Sequence, residues 1–187
     1  MSAARYPDGT ETRSGMAELR AGAGRVLAGY AAVWDAPARI GGAFDEVCRR
    51  GCFADSLASG TDVFLLAHHS WDQPLARSAN GSLQLHEDAK GLAFSAVLPE
   101  TRAADDILAL ARSGTIAGAS FAFRVPPGGD RWPARDKREL VKLDLIEVSA
   151  VAQPAYAATS ISARAMAKAA GYAHASSLIR RMRLLEL

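Results

Sequence analysis

Cysteine is scarce: the 187 residues contain two, Cys48 and Cys52. No second pair exists to complete a zinc site, and their spacing is not the Cys-x-x-Cys of redox motifs. Reduced thiols are therefore the expectation, as in a reducing compartment rather than a disulfide-stapled secreted domain. Long apolar runs are also missing, since none approaches the roughly 20 residues that span a bilayer. The opening stretch "MSAARYPDGTETRSG" is polar and has no apolar core of the secretory type. Both absences lead us to expect a protein that works where it is made or inside something larger, without membrane contact. A strong charge of one sign is lacking too. The net charge is +2, with +4 of it over 164–187 (Arg164, Lys168, Arg180, Arg181, Arg183 against Glu186), which leaves the preceding residues at −2. A basic helix face is usually solvated, so no specific nucleic-acid partner is expected.

What is present is ordinary globular material, with 49% hydrophobic and 22% charged residues in a chain long enough to bury a real core. Residues 1–24 are rich in Ala, Gly, Ser and charge without periodicity and are expected to form a flexible lead-in. From "VLAGYAAVW" (26–34) short β-like runs appear: "DVFLLAHH" (62–69), "SLQLHE" (82–87) and "GLAFSAVL" (91–98), broken by Asn80-Gly81 and "EDAKG". "TRAADDILALARSG" then reads as a helix, with Thr101 as its cap, Gly114 as its end, and Ile107, Leu108, Leu110 and Ala111 facing the core. "ASFAFRV" alternates as a strand. "PPGGDRWPARDKR" is expected to be an exposed, mobile loop, and "ELVKLDLIEVSAVAQP" (139–154) alternates again. Many short strands with one or two helices predict an α+β fold with a β-barrel core of mostly antiparallel strands. The domain is expected over 25–164. Residues 165–187 follow as an amphipathic helix, with Leu178, Ile179, Met182 and Leu185 on one stripe.

Three residues stand out chemically: His69 at the end of one apolar strand, Ser120 near the start of another, and Glu147 inside a third. Glu147 shares the parity of Val141, Leu143 and Leu145, so an ionisable group continues an apolar face. A serine hydroxyl becomes a useful nucleophile when an imidazole takes its proton and a third group holds that imidazole. Taken singly, each of the three also fits a satisfied polar group in a core. Other combinations are a metal hydrolase built from His68, His69, His86 and Asp72 or Glu87, and a thiol protease pairing Cys52 with His69. The metal reading lacks a His-x-x-x-His spacing, and Cys52 equally fits a packing role.

The blocks "GYAAVWDAPA", "GGAFDEVCRRGCFADSL", "FLLAHHSWDQPLARS", "GLAFSAVLPET", "SGTIAGASFAFRV" and "LIEVSAVAQPAYAATSISAR" occur in an order and spacing that resemble the tailed-phage prohead maturation proteases. These are serine peptidases with a fold similar to herpesvirus assemblin. The resemblance covers about residues 26–164, and the family includes prophage remnants and gene transfer agents. It implies Ser120 as the nucleophile and, counting back from "LARS", His69 rather than His68 as the general base. Glu147 in "IEVS" would be the orienting acid, with Asp144 as the fallback. It further implies a scaffold protein or the scaffolding segment of the major capsid protein as substrate, cut inside a procapsid in the bacterial cytoplasm. Self-cleavage after Tyr156 or around Trp132, a homodimer, and no cofactor or metal complete the expectation. The rival reading is a non-enzymatic capsid-assembly module on the same fold. Strand geometry adds that neighbouring histidines on a strand would face opposite ways, leaving only one able to point at Ser120.

Overall fold

Alternating apolar residues build the sheets, and the computed structural model describes residues 8–15, 19–22 and 24–152. The chain forms, in order, β1 (Glu11–Gly15), β2 (Arg20–Ala21), β3 (Val26–Val33), β4 (Ala38–Ile40), β5 (Phe44–Cys48), α1 (Ala54–Ala58), β6 (Phe64–Ala67) and β7 (Ser70–Arg77). Then follow β8 (Leu83–Glu87), β9 (Gly91–Val97), α2 (Arg102–Arg112), β10 (Gly118–Arg124), β11 (Asp130–Ala134), β12 (Lys137–Leu140) and β13 (Asp144–Val151). Among the described residues the class is the expected α+β, mostly β with two helices, and the strands pair as three sheets of order β1-β10-β13-β6-β7, β11-β12-β5-β4 and β2-β3-β9-β8. Pairing is antiparallel except at β13–β6 and β12–β5.

The first sheet carries the site. On β10, Phe121 and Phe123 point into the main core, where Phe121 meets Phe53 edge-on at 5.5 Å and stacks on Phe123 at 5.3 Å. Burying side chains of this size stabilises by about 1.5–3 kcal/mol each, which fixes the face β10 turns inward. Its other face, with Ser120 and Ala122, is therefore turned away from that core. Helix α2 starts where expected, with the Thr101 side chain accepting from the Ala104 backbone N–H, and Gly114 follows it at φ 73°. The buried stripe is Ala104, Ile107 and Leu108, whereas Leu110, expected in the core, is exposed because it lies off that spacing.

Several expectations need correction. The lead-in is not structureless throughout, since β1 pairs antiparallel with β10 and β2 with β3. Strand β1 is hard to read because its inward side chains are charged. Arg13 and Glu11 join Glu46 of β5 and Arg138 of β12 in a buried network, with Arg13 Nε 2.5 Å from Glu46 and Arg138 Nη1 2.9 Å from Glu11. Burial alone would raise the Glu11 carboxyl. The hydrogen bond of Arg138 and the charges of both arginines outweigh that and hold it below its ordinary value. The expected loop after Pro127 instead becomes a hairpin from Asp130, with β11 and β12 antiparallel. The single run 139–154 is broken between β12 and β13, where Val141 and Lys142 donate to the Gly129 carbonyl and Leu143 to that of Cys52. The predicted helix over 165–187 lies outside the described residues.

Candidate active site

Neither histidine of "AHHS" is on a strand. His68 and His69 are the two central residues of the hairpin that joins β6 to β7, where Ala67 pairs with Ser70. Both have positive φ, 53° and 62°. A two-residue hairpin of this backbone normally carries Asn-Gly, because a β-carbon in the left-handed region is strained by roughly 1–2 kcal/mol per residue. The strain is an observed outlier of the kind that gathers at functional positions. It also replaces the expected up-and-down alternation with a turn, from which His68 emerges exposed and His69 half-buried against the sheet.

Glu147 reaches the same place by a second irregularity. The β10–β13 register shifts between Ala122 and Phe123: Phe123 pairs with Leu145 and Ala122 with Glu147, so Ile146 is the extra residue of a bulge. Leu145 stays with Phe123 on the core side, and Glu147 is re-aimed to the face of Ala122. The apolar face that Glu147 seemed to interrupt thus changes parity at the bulge, passing from Leu145 to Val148 and Ala150. A carboxylate that is 3% exposed then meets the imidazole, with Glu147 Oε1 2.6 Å from His69 Nδ1, while the His69 side chain keeps 24% of its surface open. With the carboxylate ionised, Nδ1–H is the donor, which turns Nε2 into the free basic nitrogen.

The second carboxylate oxygen, Oε2, accepts the Ser149 hydroxyl at 2.5 Å, and the Ser149 oxygen in turn accepts the His69 backbone N–H at 3.1 Å. Ser149 lies directly across the ladder from Ser120. Sequence reasoning missed it, although it stands in the quoted "IEVS" block.

Ser120 is on the shared face but fully enclosed, and its Oγ donates to the backbone carbonyl of Arg13 on β1 at 3.0 Å. Among the described residues no hydrogen bond joins it to His69. In this arrangement the Ser120 hydroxyl is engaged by the β1 backbone. Beside it lies a cleft of about 180 Å³ lined by His69, Glu147, Ile146, Ala122, Trp71 and Arg124, among others. Trp71 is 57% exposed and rests edge-on against Phe64, giving the cleft an apolar wall next to the imidazole.

The other sequence candidates fall elsewhere. Asp144 sits exposed at the start of β13, paired with Arg124. Cys52 is buried beside Cys48, whose thiol, together with burial, pushes the Cys52 thiol far up, so it stays protonated and a poor nucleophile. His86 is on β8 of another sheet, and the Glu87 carboxylate is used by the Phe53 backbone N–H. Among the described residues no three metal-ligating side chains cluster, and no helix is long and apolar enough to cross a membrane.

A family model described as caudovirus prohead serine protease matches residues 12–172. No curated protein and no solved structure matches the chain.

Proposed function

The chain belongs to the caudovirus prohead serine protease family, and from that premise we propose that Ser120 is its nucleophile, His69 the general base and Glu147 the group that orients His69. A prohead serine protease is a hydrolase of peptide bonds that acts in capsid maturation, within the procapsid. The observation that carries the residue assignment is the buried Glu147 carboxylate 2.6 Å from His69 Nδ1, on the sheet face shared with Ser120.

In this mechanism His69 Nε2 takes the Ser120 proton as Oγ bonds to the scissile carbonyl carbon. The imidazolium, held by Glu147, then protonates the leaving amine as the C–N bond breaks. Water repeats the sequence on the acyl-enzyme and restores the Ser120 hydroxyl. Glu147 supplies a fixed negative charge opposite the imidazolium, where enclosure makes it count most.

The substrate in this reading is a scaffold protein or the scaffolding segment of the major capsid protein, cut in a procapsid assembling in the bacterial cytoplasm. An assemblin-like barrel and a homodimer belong to the same proposal. Self-cleavage fits the Ser/Ala-rich stretch after Tyr156, outside the described residues, better than Trp132, which is exposed but belongs to strand β11 of the β11–β12 hairpin. The enclosure of Ser120 favours a second reading, a non-enzymatic assembly module. A fluorophosphonate probe separates the two when applied to the chain alone and together with its capsid protein. The proteolytic reading expects the probe on Ser120 in at least one of these samples. Folded protein that stays unlabelled in both would favour the assembly module.

A further inference from the structure

We propose that Ser149 is a positioning residue for the His69–Glu147 pair, a role that rests on the proteolytic reading above. Its hydroxyl has one proton to give and two lone pairs to offer. The proton goes to Glu147 Oε2 at 2.5 Å, and one lone pair takes the His69 backbone N–H at 3.1 Å. A single side chain therefore fixes both partners of the pair. It stops the carboxylate from rotating, so that Oε1 stays on Nδ1, and it ties down the turn residue that must sit at φ 62°.

The neighbouring turn residue is tied separately, through the His68 N–H to the Ala150 carbonyl at 3.1 Å. Without Ser149, the His69 backbone N–H would lose its bond to β13, and the residue would be held there by its ring alone. The partners distinguish Ser149 from its cross-strand neighbour Ser120, whose hydroxyl donates to the Arg13 carbonyl. The Ser149 proton goes to the same carboxylate that holds the His69 ring, so this hydroxyl braces the base. A fully buried serine is also placed to do this without competition from water.

The test compares Ser149→Ala with Ser149→Thr, which keeps the hydroxyl, in the full chain with folding checked by thermal unfolding. The first readout is the far-downfield proton resonance of the short Nδ1–H bond, recorded in a Ser120→Ala background so that self-cleavage does not intervene. The second is kcat and KM on a peptide spanning a cleavage site mapped by co-expression. Ser149→Ala is expected to lose or shift the resonance and to lower kcat about 10- to 100-fold, the effect of one hydrogen bond to an ionised group. KM should stay within about twofold, and Ser149→Thr should retain both signals. A folded Ser149→Ala protein with the resonance and kcat intact would overturn the proposal. So would equal losses in both variants, or a parent protein without the resonance. Should the wild type cleave nothing, the protease reading fails, while the resonance still decides the role of Ser149.

Discussion

Replacing Glu147 by glutamine puts the core of the account at risk in one atom. The carboxylate receives two donors, His69 Nδ1–H at 2.6 Å and the Ser149 hydroxyl at 2.5 Å, one on each oxygen. An amide of the same shape offers only one acceptor oxygen. If that oxygen faces His69, the Ser149 proton loses its acceptor at a fully buried position and the imidazolium loses its counter-charge. Loss of a hydrogen bond to an ionised group is then about 1.5–3 kcal/mol, or roughly 10- to 100-fold in kcat. If the NH2 faces His69 instead, the ring proton is driven to Nε2 and the base is blocked, a change worth about 10⁴-fold in a catalytic triad. The expected result for Glu147→Gln is a fall of about 10- to 10⁴-fold in cleavage rate, according to the orientation the amide takes. Folding should also weaken by about 1–3 kcal/mol, the cost of a buried polar group without its partner. Rate measurements on a mapped cleavage-site peptide and urea unfolding of the same sample read both. A folded Glu147→Gln protein that cleaves within about fivefold of wild type would remove Glu147 from the mechanism, because no orientation of the amide keeps both bonds and the negative charge.

Three further outcomes follow from the turn and from the buried charge network. His68→Gly relieves a left-handed strain of roughly 1–2 kcal/mol while adding back about 0.5–1 kcal/mol of glycine chain entropy. The unfolding midpoint should therefore be unchanged or raised, with cleavage unaffected; a large loss of cleavage would move the base to His68. Arg138→Met leaves the buried Glu11 and Glu46 carboxylates sharing Arg13, so unfolding in urea should be easier by about 3–5 kcal/mol, and a loss under 1 kcal/mol would show the network to be incidental. The pH sense is fixed by Glu11, whose carboxyl is held below its ordinary 4.5 in the folded state by Arg138 and Arg13 against the effect of burial. Its contribution is complete above pH 4.5 and is lost as pH falls through the lower folded value. Wild type should accordingly lose stability below about pH 4.5, and Arg138→Met should flatten that dependence.

The sequence made the chemistry more legible than the backbone that delivers it. The alternation of Ala119, Phe121 and Phe123 announces β10 and its inward face, and Thr101 with Gly114 bounds α2. Glu147 stands out as an ionisable residue on an apolar parity, but the bulge at Ile146 that removes the conflict leaves no mark in the residue types. The turn at His68 and His69 was hidden for a similar reason: its backbone usually calls for Asn-Gly, and two histidines after "FLLA" read as the end of a strand. Strand β1 carried no apolar signal because Glu11 and Arg13 are neutralised by Glu46 and Arg138, which lie far along the chain. The β11–β12 hairpin escaped notice because most of β11 is exposed, so no apolar face was needed to hold it. Ser149 was passed over because nothing in a serine between two valines and an alanine tells that its hydroxyl is bonded on both sides.

The role proposed for Ser120 is attack on a peptide bond. It is tested most directly by co-expressing the full chain with its capsid or scaffold protein, wild type against Ser120→Ala, and reading intact masses. Discrete truncations are expected in the wild-type sample and should vanish with Ser120→Ala while the protein stays folded. Cleavage at the same sites in the Ser120→Ala sample would contradict that role, and the nucleophile would have to be sought elsewhere on the His69 face of the sheet.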